Sequence, residues 1–132
     1  MDAKKGNHTK KAIIIDDDEM DLELLKIVLS KEGFDVISTA DGPQGIILYK
    51  HHNPQLVFLD LGLPSMSGIE VLKEIRQFDS NAKVMLITGY GSAGSANAAM
   101  QLGAVDYIEK SWNVETMINR INAAIHKLDF AE

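Results

Sequence analysis

The chain has 132 residues, 45% hydrophobic and 24% charged, which suits one globular domain able to bury its own core. It contains no cysteine, so disulfides and thiolate metal sites are excluded. Its 13 basic and 19 acidic side chains leave a net charge of -6, which argues against unaided nucleic-acid binding. No apolar run approaches the roughly 20 residues that span a bilayer.

Residues 1–10 read as a disordered, basic lead-in, with no apolar segment behind the charges to make a signal peptide. The first strand is "AIIID" (12–16). A helix over 19–32 follows, with Leu22, Leu25, Val28 and Leu29 on one stripe and Gly33 as its stop. The second strand, "FDVIS" (34–38), alternates more and suits an edge. The helix over 41–52 ends at Asn53-Pro54. "QLVFLD" (55–60) is the third strand. Ser67 and Glu70 make a capping-box pattern for a helix over 67–78, with Ile69, Leu72 and Ile75 turned inward. "KVMLIT" (83–88) is the fourth strand, followed by an Ala-rich helix over 92–102 that Gly103 closes. "AVDYIEK" (104–110) is the fifth. The last helix, 113–128, carries the stripe Val114, Met117, Ile118, Ile121, Ile125 and Leu128. His8, His51, His52 and His126 show no ligand spacing; the His51-His52 pair reads as a solvated helix end.

Five strands alternating with five helices imply one α/β domain with a parallel sheet and right-handed crossovers. Working sites in such sheets lie at the carboxyl ends of the strands. There the first strand ends in Asp16-Asp17-Asp18, the third in Asp60, the fourth in Thr88 and the fifth in Lys110. Two like charges about 4 Å apart at an effective dielectric near 20 repel by roughly 4 kcal/mol. The cluster therefore calls for a cation, or for some acids to stay protonated. Mg²⁺ with oxygen ligands fits, and carboxylate, metal, hydroxyl and ammonium together suit phosphoryl chemistry. Taken singly, a strand-end Asp is more often a cap or turn residue, and Asp18 reads as the cap of the first helix.

A second motif competes. "LITGYGSAGSAN" (86–97) holds Gly89-x-Gly91-x-x-Gly94, with Glu109 twenty residues past Gly89, the pattern of a dinucleotide-binding turn. That fingerprint normally opens its fold, whereas here only one strand and one helix remain after it. It also leaves the acids, Thr88 and Lys110 unexplained.

The segments "IIIDDDE", "LVFLDLGLPSMSGIEVLKEIR", "VMLITGYG" and "GAVDYIEKS", in this order and spacing, resemble the receiver domain of two-component response regulators. The resemblance covers residues 11–128 and leaves 129–132 as a tail; the helix-and-loop texture is similar to the nitrogen-regulation class. It implies a flavodoxin-like, doubly wound sheet of order 2-1-3-4-5. It implies that Asp60 accepts a phosphoryl group from a sensor histidine kinase or phosphotransfer protein. Mg²⁺, with Mn²⁺ as a substitute, would be held by Asp17, Asp60 and the Gly62 carbonyl, with Asp16 as a second acid acting through water. Thr88 and Lys110 would contact the phosphoryl group, Tyr107 would follow activation, and positions 62 (Gly62) and 90 (Tyr90) would tune how fast the phosphate is lost.

The same resemblance implies a cytoplasmic switch that catalyses only its own phosphorylation and dephosphorylation. It would act on an output domain or effector, with no direct nucleic-acid or membrane contact, through a face of the fourth helix, fifth strand and fifth helix. A homodimer on that face, with Ala96, Ala98 and Ala99 as a flat patch, stands beside the plainer reading of a core helix. The chain's end fits either a stand-alone receiver or part of a larger regulator. Two departures stand out. Ser111 replaces the usual proline after the lysine, and since a non-proline cis bond costs about 3 kcal/mol, a trans bond is expected there. Trp112 stands where a phenylalanine is usual. Residues 89–95 are expected to be mobile before phosphorylation and ordered afterwards. The rival functions are a pseudo-receiver acting as a docking module, an Asp-nucleophile phosphatase, which Gly62 argues against because that position usually carries an acid, and a nucleotide-binding domain.

Overall fold

A computed structural model describes residues 10–89 and 93–128. Residues 90–92 of the loop 89–95, Tyr90 among them, residues 1–9 of the lead-in and the tail 129–132 lie outside the described residues. The elements alternate strictly: β1 (Lys10–Ile15), α1 (Glu19–Lys31), β2 (Phe34–Thr39), α2 (Gly42–His52), β3 (Leu56–Asp60), α3 (Gly68–Phe78), β4 (Val84–Thr88), α4 (Ala93–Gln101), β5 (Asp106–Glu109) and α5 (Val114–Lys127). The first strand thus takes in Lys10, the last residue assigned to the lead-in.

All pairings are parallel, in the order β2-β1-β3-β4-β5. This is the doubly wound order, and the alternating second strand does lie at an edge. Successive strand residues point to opposite faces, and the sheet fills both. On one side Ala12, Ile14, Phe58, Met85 and Ile87 meet Leu25 and Leu29 of α1 and Met117, Ile121 and Ile125 of α5. On the other, Ile13, Ile15, Leu59 and Leu86 meet Ile46 and Tyr49 of α2, Leu72 and Ile75 of α3 and Ala99 of α4. Burial on both faces explains why β1, β3 and β4 read as nearly unbroken aliphatic runs.

Local chemistry sets the helix ends. Asp18 caps α1 by accepting from the N–H groups of Met20 (2.9 Å) and Asp21 (3.1 Å). Asp41 caps α2 by accepting from Gln44 N–H, with Pro43 in the first turn. Gly33 (φ 91°) and Gly103 (φ 106°) close α1 and α4 in the left-handed region, which costs glycine little.

Three expectations need correction. Ser67 does cap α3, but its Oγ accepts from Ile69 N–H rather than from Glu70, so the cap is simpler than a capping box. Val114 is 48% exposed: it opens α5 before the helix settles on the sheet, and its side chain stays outside the core stripe. Ala96 and Ala99 are fully buried, so they pack inward and the flat partner patch is lost; only Ala98 of the three is exposed.

Candidate functional site

Strand register gathers the site. Ile15 of β1 lies opposite Leu59 of β3, which sets Asp16 and Asp60 side by side, one residue on. Asp60 pairs with Ile87 and Thr88 with Glu109, so Thr88 and Lys110 follow at the same rim. Backbone bonds fix the ends: Asp16 N–H donates to Thr39 O (3.0 Å), Leu61 N–H to Ile87 O (3.2 Å) and Lys110 N–H to Thr88 O (2.7 Å). Gly68 lets α3 start hard against this rim. A Cβ there would stand 2.6 Å from Leu61 Cα and 2.8 Å from the Asp60 carbonyl, closer than any side chain can come.

Oxygens of Asp16, Asp17 and Asp60 lie within 4.8 Å of one another. Asp16 and Asp60 are buried, while Asp17 is exposed. Asp60 Oδ1 accepts from Gly62 N–H at 2.9 Å, and its Oδ2 accepts from Lys110 Nζ at 3.2 Å. Asp16 Oδ1 accepts from Asp18 N–H at 2.8 Å. Its Oδ2 is buried with no hydrogen-bond donor among the described residues, and the Lys110 ammonium stands 4.0 Å away. Burial pushes the Asp16 carboxyl up to about 8; the Asp18 N–H opposes this, and the neighbouring Asp60 charge adds to it. An acid held this far from ionisation, with one oxygen unpaired and two more carboxylates beside it, is what a divalent cation relieves. The residues present therefore fit Mg²⁺, a hard ion that takes one or two carboxylates along with water and phosphate oxygens.

Lys110 is the cation of the rim. Burial works against its charge, but Asp21, Asp16 and Asp60 outweigh burial and keep the ammonium protonated. Asp21 is the acid that the sequence reading missed. It is 8% exposed, and its Oδ2 meets Lys110 Nζ at 2.7 Å as an ion pair, without the alignment of a hydrogen bond. The signal was present: Asp21 stands four residues before Leu25 and seven before Val28, on the buried stripe of α1.

Thr88 is buried, and among the described residues its Oγ1 makes a single long contact, 3.5 Å to Ile108 O. No hydrogen bond joins it to Asp60 among the described residues. Tyr107 is 41% exposed on the edge strand, opposite Leu86. No cis peptide bond occurs among the described residues, so Lys110–Ser111 is trans as expected. Trp112 is 88% exposed and lines a cavity of about 310 Å³ beside the rim, together with Met20, Asp21, Leu24, Lys110 and Val114. The crevice of this strand order lies where the chain reverses, between β1 and β3. The glycine motif follows β4 instead, which removes the geometric basis for a dinucleotide site.

A family model for the response regulator receiver domain matches residues 12–122. The chain is 35% identical over 115 residues to the chemotaxis protein CheY of Bacillus subtilis, covering 86% of this chain and 96% of that protein. It is 33% identical over 117 residues to the cell cycle transcriptional regulator CtrA of Caulobacter vibrioides, covering 89% of this chain and 51% of CtrA. It thus spans about half of that relative. Among solved structures, the CheX–CheY–BeF3–Mg complex from Borrelia burgdorferi aligns with a TM-score of 0.76 at 32% identity, over 88% of this chain and 89% of that one. NtrX from Brucella abortus, solved with ADP, aligns with a TM-score of 0.76 at 28% identity, over 89% of this chain and 27% of NtrX. The matched stretch contains Asp16, Asp17, Asp60, Thr88 and Lys110. The chain belongs to the response regulator receiver family of two-component signalling.

Proposed function

We propose that Asp60 is the phosphoryl acceptor of this switch, with Asp16 and Asp17 as its metal-binding acids and Thr88 and Lys110 as the groups that sense the phosphoryl group. The observation that carries the reading is the convergence of three carboxylates within 4.8 Å, with an ammonium 3.2 Å from Asp60. Gly62 N–H holds one Asp60 oxygen, leaving Oδ2 on the side facing Lys110. In the transfer, an Asp60 oxygen attacks the phosphorus of a phosphohistidine on a sensor kinase or phosphotransfer protein. A P–O bond forms, the P–N bond breaks, and the departing imidazole nitrogen keeps the electron pair.

Asp16, Asp17, Asp60 and the Gly62 carbonyl would hold Mg²⁺, or Mn²⁺ in its place; the bound ion neutralises the acids and the phosphoryl oxygens. Lys110 offers N–H donors to the oxygens that the transfer brings in. Thr88, whose hydroxyl makes one long contact among the described residues, to Ile108, loses little by turning toward them. Contacts made only in the phosphorylated state are what shift a two-state equilibrium. Hydrolysis of the acyl phosphate returns Asp60 to its carboxylate, at a rate tuned by positions 62 and 90.

We place output on the face of α4, β5 and α5, toward an output domain, an effector or a second copy of the chain. Tyr107 is exposed there, and Lys127 bridges to Asp106 at 2.9 Å. No helix among the described residues is long and apolar enough to cross a membrane, and the cytoplasm, where a sensor kinase presents its phosphohistidine, is the compartment this reading assigns.

Intact mass after incubation with acetyl phosphate tests the chemistry. We expect a gain of one phosphoryl group that requires Mg²⁺ and disappears in Asp60→Asn. No gain in the native chain would leave a docking module of the same fold.

A further inference from the structure

Of the acids at the rim, Asp21 has no part in the function proposed above. Its neighbours at the start of α1 explain themselves: Asp18 caps the helix, and Glu19 stands exposed in the first turn, where a negative charge suits the helix dipole. Asp21 does neither. It occupies an inward position of an otherwise apolar stripe with Leu25, Val28 and Leu29. Its carboxylate lies closer to the Lys110 ammonium (2.7 Å) than that of Asp60 (3.2 Å) or Asp16 (4.0 Å). One ammonium is therefore shared among three buried carboxylates, and the shortest contact is to the one outside the metal cluster.

We infer that Asp21 is a positioning residue that restrains the switch: it competes with the phosphoryl group of Asp60 for Lys110. A phosphoryl group adds negative charge and three strong acceptor oxygens to the rim. To meet them, Lys110 must loosen its contact with Asp21, and the incoming charge must also tolerate a desolvated carboxylate on the far side of the ammonium. Both effects oppose phosphorylation. Removing the Asp21 charge releases Lys110 toward Asp60, so the phosphorylated form is favoured. Loss of a merely structural contact would act in the opposite direction, by loosening the rim.

The inference rests on the reading of Asp60 as acceptor. Its test is a titration of the full chain with beryllofluoride at saturating Mg²⁺, with fluorine NMR counting the bound groups. Asp21→Asn and Asp21→Leu, the second continuing the apolar stripe of α1, are each expected to half-saturate at about tenfold lower beryllofluoride, the effect of one nearby charge on an ionic equilibrium. Asp21→Glu, which keeps the charge, is expected to stay near the native value. Native or weaker affinity in both neutral variants would overturn the role of Asp21. A native chain that shows no bound fluorine signal and gains no phosphoryl mass would instead overturn the reading of Asp60, and the inference with it.

Discussion

Between Ala12 and Ile15, Leu56 and Leu59, and Val84 and Ile87, every side chain of the three central strands is apolar and buried. One residue further along each strand, at Asp16, Asp60 and Thr88, the side chains are still buried but polar. Inside the sheet each group has what it needs: ladder partners for the backbone and close-packed neighbours for the side chain. At the rim Asp16 keeps an unpaired oxygen, Thr88 has one long contact, and three acids share Lys110. Exposure does not separate the two regions; satisfaction does. The interior stores the stability, and the rim holds groups whose needs the proposed cation and phosphoryl group would meet. Such under-satisfied groups let binding change the energy of the protein by more than a contact at an exposed surface would.

The largest expected effect breaks the interior while sparing the rim. Phe58 is fully buried two residues before Asp60, and Phe58→Ala should cost about 3–5 kcal/mol of stability in a denaturant titration. Below its lowered melting temperature the variant should still gain one phosphoryl group from acetyl phosphate. Asp60→Asn does the reverse, abolishing the gain while leaving stability equal or higher, because one like charge leaves the cluster. If Phe58→Ala lost phosphorylation while still folded, the division between interior and rim would fail.

This division also explains how much could be read from the chain. The two-faced strands, the helix stops and the strand-end acids were legible because each leaves a local mark: an aliphatic run, a Gly at a turn, a charge where a run ends. Asp18 announced itself as a cap and proved to be one. Asp21 leaves no such mark, because its charge sits on a helix's apolar stripe and not where a strand ends. Ala96 and Ala99 misled for the opposite reason. Alanine suits a buried helix face as well as a flat exposed one, and only packing decides between them. Register is also tertiary: no local pattern says that Asp60 aligns with Ile87 rather than with Thr88.

A smaller effect sharpens the comparison through pH. Burial raises the Asp16 carboxyl from 3.8 to about 8. With Mg²⁺ chelated, the unfolded chain ionises this group first, so the folded state binds more protons between those two values. Stability contributed by this group must then fall as pH rises across that window. Saturating Mg²⁺ should reverse the trend near neutral pH, since a ligand of the folded state alone raises its melting temperature. Asp16→Asn should flatten the chelated profile and shrink the response to Mg²⁺. Melting curves at about pH 5 and about pH 7 with and without the ion, two points inside that window, read both. A profile in which native and Asp16→Asn chains run parallel would mean that the rim is already satisfied without a cation.

The smallest effect concerns the rim's apolar margin. Trp112 is the sole tryptophan of the chain and is 88% exposed, so truncating it returns little area to water. Trp112→Ala should change stability by no more than about 0.5 kcal/mol, and phosphoryl uptake from acetyl phosphate should be unaltered because strand register, not this side chain, sets Asp60 beside its acids. Its neighbours in the cavity wall, Met20 and Val114, are also exposed, at 62% and 48%. Three large apolar groups standing in water beside a buried ionic cluster contribute little to holding that cluster. If the rim owed its geometry to them, Trp112→Ala would lower the melting temperature and weaken beryllofluoride binding together. The site would then be held from outside by Trp112, whereas the register of β1, β3 and β4 already sets Asp16, Asp60 and Thr88 where they are from within.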